Sequence, residues 1–350
     1  MAYAIIDDPE KHFNTKTYTG NLLQHPVVGL NHQPDFLWFK NRDSTNSHNI
    51  IDTTRGTDKK LEGPDRTNAE GDTTTRLDSF DTDGFTVETD PSVNGSNNEI
   101  VVWSWKANGG SRTTFAESGD NPGGGHQANT TAGISIVDYT GTGSAGTVQH
   151  GLGVIPEMII FKDRSEASAW VIYHEAIGNG AFLKLDTNAA KADESSNFNN
   201  TSPTSSVFTV GTSTNVNKDG NNYMAYCFAS VKGFSKVGKY TGNGATNGTF
   251  IYTGFKPSFI MFKATAGTEN WGIFDNRRNT QQGNPRDIYL LPSVANADSS
   301  ESDSVDFLSN GFKWKIDSGF RNDDGVEFVY MAFAESPFVN SNATPGNSAF

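Results

Sequence analysis

Three short, uninterrupted apolar runs recur along the chain, each preceded by a proline and each ending in Phe-Lys. They are Phe36–Lys40 after Pro34, Met158–Lys162 after Pro156, and Phe259–Lys263 after Pro257. A continuous apolar run of this length, bounded by turn residues, predicts a strand covered on both faces. The prolines fall just before the strands, where a missing N–H costs least. Later in each copy comes an aromatic-rich stretch, Ile100–Lys106, Tyr223–Ala229 and Phe328–Ala334, in which large and small residues alternate. That alternation predicts a half-covered strand. Asp83-Gly84 and Asn310-Gly311 add hairpin signals.

The register between copies needs no gaps. Each copy opens on Tyr-Thr-Gly, at Tyr18, Tyr139 and Tyr240. Eight positions beyond the lysines stand His48, Trp170 and Trp271, and four further on Asp52, His174 and Asp275. A phenylalanine marks the later part of each copy, at Phe85, Phe208 and Phe312. The step from the first copy to the second is longer, and the surplus is a Gly-rich polar stretch that reads as a linker or long loop. The predicted organisation is an N-terminal arm over 1–14, β-sandwich repeat 1 over 15–107, the linker over 108–132, repeat 2 over 133–233, repeat 3 over 234–335, and a tail over 336–350. The period is too long for a solenoid, so each copy is expected to close its own core. The expected fold is all-β: three tandem β-sandwich domains of jelly-roll or lectin-like kind.

Composition narrows the function classes. Thirty-six glycines with 24 Phe, 10 Tyr and 6 Trp suit many short strands joined by turns. A formal charge of -13 repels phosphate backbones and anionic lipid, which argues against nucleic acid and membranes as partners. One cysteine, Cys227, excludes an internal disulfide framework. No apolar run approaches membrane-spanning length, and the N-terminus carries no recognisable export signal.

Internal copies supply a control for candidate chemistry, because a residue replaced by a different type in its sister copies argues for packing over shared catalysis. Gly141-Thr142-Gly143-Ser144-Ala145-Gly146 has the spacing of a dinucleotide loop, yet it opens a repeat where no helix is expected. It reads as a hairpin turn. Cys227 matches Ser104 and Ala332, so it reads as a small packed side chain. His174 matches two aspartates and has no partner at metal-ligand spacing. Asp81 to Asp83 and Asp323-Asp324 lack the spacing of a calcium loop. Glu157 and Glu175 are not marked out as a glycosidase pair, and Asn129-Thr130-Thr131 is expected by chance in so polar a chain. No catalytic, cofactor-binding or metal residue is assigned, and the ligand-binding residues stay unassigned. Most aromatics fall at matched strand positions and read as core. Trp38, Trp103 and Trp314 have no tryptophan in the sister copies, which leaves open a private binding role for one of them.

The first copy, with FLWFKNRDSTNSH (Phe36 to His48), DTTRG (Asp52 to Gly56), LDSFDTDGFTVETD (Leu77 to Asp90) and VNGSNNEIVVWSWKANGG (Val93 to Gly110), resembles a repeat domain of virion structural proteins from marine tailed bacteriophages. The ending AESPFVNSN (Ala334 to Asn342) is similar to the C-terminus of the same proteins. Copies two and three lack the Arg55-Gly56 dipeptide and the Asn41-Arg42-Asp43 sequence, so a function tied to those residues is expected of copy one alone. The resemblance implies a tail-fibre-like or lectin-like part of the virion, with no catalytic residues and no cofactor. It implies assembly in the bacterial cytoplasm, and as partners other tail or capsid proteins and a host surface glycan or protein. The expected role is a fibre-like appendage, guessed to be a homotrimer, in which the arm docks on the particle. A capsid decoration protein is the alternative, and a polysaccharide-cleaving enzyme the third reading.

Overall fold

The computed structural model describes residues 4–279 and 283–346. The chain is all-β, with antiparallel strands and only a few single-turn helices. In copy 1 the large sheet runs in the order Phe13–Thr19, Glu99–Trp105, Phe36–Asn41, Asn49–Asp52, Lys59–Glu62, Gly71–Asp72. A small sheet of His25–Val28, Gly84–Val87 and Leu77–Asp81 accompanies it. Copy 2 repeats the order with Ile134–Thr140, Asn222–Phe228, Met158–Asp163, Val171–His174, Ala181–Lys184 and Ala192–Asp193, and pairs Gly146–Gln149 with Val207–Val210. In copy 3 the same order begins with Ser235–Thr241, Glu327–Pro337, Phe255–Ala264 and Gly272–Asp275. There the sheet continues without a break through Arg286–Leu290, Ser299–Leu308 and Gly311–Trp314 to Phe250–Tyr252.

The opening motif has a local cause. Each tyrosine hydroxyl donates to a carbonyl at a one-turn helix near the end of its own copy: Tyr18 to Val93, Tyr139 to Val216, Tyr240 to Arg321. One residue further along those helices, buried Asn94, Asn217 and Asn322 accept from the amides of Asn21, Thr142 and Asn243. The intervening glycine is forced, since a Cβ on Gly20, Gly141 or Gly242 would lie 2.3, 2.3 or 2.1 Å from a backbone oxygen. In copy 2 the Gly-rich loop thus spends its amides on Asn217 and Asn221, as a turn does.

Side chains on a strand alternate between faces, and the Phe-Lys strands use both. Leu37 and Phe39, Ile159 and Phe161, Ile260 and Phe262 enter three separate sandwich cores. Phe36 and Trp38, Met158 and Ile160, Phe259 and Met261 point the other way, into one core shared by all three copies. The expectation that each copy closes its own apolar interior is therefore half the picture. Each large sheet has a private face and a common one, and the common face is covered only by the sister copies.

The three copies form a closed ring. An arm of each lies against the next: the Glu70 amide donates to the Arg164 carbonyl, that of Lys191 to Thr265, and that of Asp298 to Arg42. The acceptor is always two residues beyond the Phe-Lys lysine. Trp170 and Trp271 reinforce two of these joins, their indole N–H groups donating across to the carbonyls of Arg66 and Lys184 at 3.0 and 2.8 Å. Ion pairs Arg164–Glu70 and Arg42–Asp298, each at 2.7 Å, bind two joins as well. The third has Thr265 in place of the arginine.

Three boundaries differ from the sequence expectation. The supposed linker contains strands Thr113–Phe115 and Gly124–Asn129, which extend the edge of the copy 2 sheet. Glycine there permits close approach of strands: a Cβ on Gly124 would lie 2.0 Å from the Asp138 carbonyl. The arm is not free, because Ala4 and Ile6 are buried and Phe13 stacks on Phe333 at 4.7 Å. The tail is partly strand, through Pro337, and Ser341 bonds Asp7. Residues 1–3 of the arm and 347–350 of the tail lie outside the described residues.

Lys40, Lys162 and Lys263 are fully buried, and their ammonium groups donate to backbone carbonyls, Lys162 reaching Thr67 of the neighbouring copy at 3.0 Å. Burial pushes each amine from 10.5 down to about 8. The unfolded chain then binds more protons than the folded one between pH 8 and the ordinary lysine range, so stability rises with pH across that window. Between pH 7.5 and 9.5 the wild type should gain on the order of 1 kcal/mol relative to Lys263→Met, read from denaturant midpoints; parallel profiles would contradict a buried charge. An excised copy 2, residues 133–233, exposes Ile134, Ile136, Met158, Ile160, Tyr226 and Phe228. It should self-associate or lose its near-ultraviolet dichroism, and a sharply folded monomer would contradict the shared core.

Candidate functional site

The matched residues Asp52, His174 and Asp275 all sit where one copy meets another. Asp52 accepts from Arg55 Nε at 2.6 Å and from the Tyr226 hydroxyl of copy 2 at 2.9 Å. Asp275 accepts from Arg278 Nε at 2.6 Å and from the Trp103 indole of copy 1 at 3.0 Å. Trp103 and Tyr226 occupy matching places, paired with Trp38 and Ile160 in register, and the third member of the set is Met331. A thioether offers no proton. At that seam the acid is replaced by His174, whose Nε2 lies 3.4 Å from the Tyr330 carbonyl. Burial pushes this imidazole down to about 4, so it is neutral at pH 7. A carboxylate thus stands where the incoming side chain donates, and a neutral histidine where it does not.

Arg55 and Arg278 are both buried and stand three residues after their aspartates. The arginine assigned to copy 1 alone therefore recurs in copy 3, and Gly56 is matched in copy 2 by Gly178, each at a positive φ, so the two halves of the dipeptide recur in different copies. The signal was in the sequence as the offset from Asp275, hidden by looking for adjacent residues.

The other candidates are structural. Cys227 is fully buried in the copy 2 core, and burial pushes its thiol up, away from thiolate. Glu157 accepts from the Ser230 amide at 3.0 Å, and its own carbonyl takes the Glu175 amide, so the two glutamates meet through backbone and not as a carboxyl pair. Asp83 caps the loop at Asn31 at 2.7 Å. Among the described residues no group of three His, Cys, Asp or Glu is placed to hold a metal. Trp38, Trp103 and Trp314 are buried to within 1 % exposure, which places all three in the cores and none at a surface site.

The aromatic rings that do face solvent are others: Phe250 and Tyr252, at 44 % and 61 % exposure, and Phe338. Strand Phe250–Tyr252 matches His25–Val28 and Gly146–Gln149, because Ile251, Val27 and Val148 pair with Phe312, Phe85 and Phe208. Tyr252 consequently takes the place of Val28 and Gln149, and Phe250 that of Pro26 and Thr147. Tyr252 and Phe338 line an open groove of about 390 Å³ together with Lys232, Lys236, Thr253 and Gly254. Lys236 occupies the place of Asn14 and Ser135, both buried in their own copies. The Phe338 amide donates to the Gly254 carbonyl at 3.3 Å, and the Ile5 amide to Lys232 at 3.3 Å. The start and end of the chain thereby fix two sides of the groove.

The groove escaped the sequence reading because its rings lie on a strand and a tail where no residues of the three copies were matched. Departure from the sister copies at an outward-facing position was the available signal. At the seams, Asp52→Ala should leave Arg55 buried with only Glu70, at 3.4 Å, as a carboxylate and the Tyr226 hydroxyl without its acceptor, and cost about 3 kcal/mol in chemical denaturation; a loss under about 1 kcal/mol would deny the pair its role.

Comparison with curated proteins and with solved structures gave no match at significance. A family model for a domain of unknown function, DUF7483, matches residues 8–337 as one unit, across all three copies together. The chain therefore belongs to the DUF7483 family.

Proposed function

We propose that this chain is a virion structural protein of a tailed bacteriophage, a fibre-like appendage that meets the host surface through the groove of copy 3. Two things support the reading: the resemblance of the first copy to phage virion repeat domains, and the placing of Tyr252 and Lys236, beside Phe338, at outward positions that the sister copies fill with other residues. The groove is the observation that carries it. Exposed rings flanking a cleft are costly to keep in water and effective at binding. The role is binding and not catalysis, and incubating the chain with host envelope glycans should release no new reducing ends.

The internal three-copy ring favours a second reading, a decoration protein seated on a threefold position of the capsid shell, since one chain already presents threefold-related surfaces. The described part of the arm packs on the body through Ala4, Ile6 and Phe13, so docking through the arm, in either reading, uses its outward residues such as the exposed Ile5. A homotrimer of this chain would use further surfaces too, because the common sheet faces are already spent on one another. Labelled antibody on purified virions should place the protein at the tail in at most tens of copies. Hundreds of copies on the shell would select the decoration reading, and detection only in infected cells would overturn both.

A further inference from the structure

One residue of copy 1 breaks a rule that its sisters keep. The amides of Leu22, Gly143 and Gly244 stand at the same place in the three opening turns, donating to the carbonyls of Asn94, Asn217 and Asn322 at 3.0, 3.0 and 2.8 Å. All three residues are left-handed, with φ of 58°, 73° and 58°. Glycine takes that conformation freely, whereas a leucine there sets its Cβ against the following carbonyl. The turn holds Leu22 in place: the Leu23 amide donates to Asn21 Oδ1 at 2.8 Å, and Asn94 Nδ2 donates to the Leu23 carbonyl at 2.8 Å. The strain gains nothing inside the fold, because Leu22 is 38 % exposed and Leu23 67 %. On the strand that follows, Pro26 and Val28 are exposed as well.

We propose that Leu22 and Leu23 are the anchor by which copy 1 docks on another protein, the two side chains entering an apolar pocket edged with lysine or arginine. This rests on the virion role proposed above and adds to it a docking face on copy 1. A strained, outward leucine where the sister copies carry glycine is explained by a partner that buries it. The acids near the patch set the partner's charge. Glu88 lies at the Leu23 end, where Asn94 Nδ2 donates to both carbonyls, and Asp81 and Asp83 lie at the Val28 end; together they outnumber Lys16 beside Gly29. Such a rim, on a chain of net charge -13, repels anionic lipid and a second copy alike and complements a basic protein surface. Pro26 has no N–H to offer on the open side of its edge strand, which favours side chains in a pocket over an added partner strand.

The sister residue supplies the test. Leu22→Gly should raise the melting temperature of the purified chain by about 1–2 °C, because it relieves the strained backbone. A lower melting temperature would show that the leucine serves the fold, and would overturn the proposal. For the partner, full-length chain with the photo-crosslinker benzoylphenylalanine in place of Leu23 would be supplied to infected cells and irradiated. It should crosslink to one other protein, at an apolar stretch flanked by Lys or Arg, and adding Leu22→Gly should cut the yield about tenfold. Crosslinks to a second copy of this chain, to lipid or to nothing would overturn the docking face, as would a yield indifferent to Leu22→Gly. Antibody labelling of virions is read separately. A chain found on virions without the crosslink keeps the virion role and loses this face; a chain that crosslinks but is absent from virions keeps the face and loses the role.

Discussion

A strand whose residues are all apolar has two faces to hide, and the architecture of this protein follows from that necessity. One face of each large sheet is covered by its own small strands. The other has no cover within its copy, and burying it at about 25 cal/mol per Å² of apolar surface is a driving force no small domain can forgo. Three copies facing inward meet the need at once: Trp38, Ile160 and Met261 come from matching positions to fill one interior. Side chains as unlike as indole, isoleucine and methionine at one place are intelligible when the volume to be filled is joint, and each copy contributes a different share of it.

The seams carry specificity on top of that apolar drive. A non-directional core would tolerate sliding of one sheet over another, whereas a buried carboxylate tolerates little displacement from its donors. Asp52 and Asp275 each receive an arginine from their own copy and a ring donor from a neighbour. At the third seam the matching residues are Met331 and a neutral His174, which turns to the Tyr330 carbonyl instead. Acid and proton donor occur together at two seams and are absent together at the third.

Much of this was legible in the residues. The all-β character, the register of the copies, and the packing role of Cys227 follow from pattern and from comparing copies. The shared interior was less so, since periodicity says that both faces of FLWFK are covered without saying by what. The strands at Thr113–Phe115 and Gly124–Asn129 were hidden because glycine-rich, polar sequence is also what loops contain. The tryptophans misled for a related reason: uniqueness among copies marks a private site only when the side chain points outward, and sequence alone does not give the direction. Tyr252 and Lys236 met both conditions, and only the fold could show it.

The contact between Asp7 and Ser341 brings the two ends of the folded body side by side. A polypeptide that leaves a body where it came in can be spliced into a loop of a larger protein without disturbing either partner. Segments joined at these two ends would therefore leave the ring undisturbed and run out beside the groove that Phe338 lines.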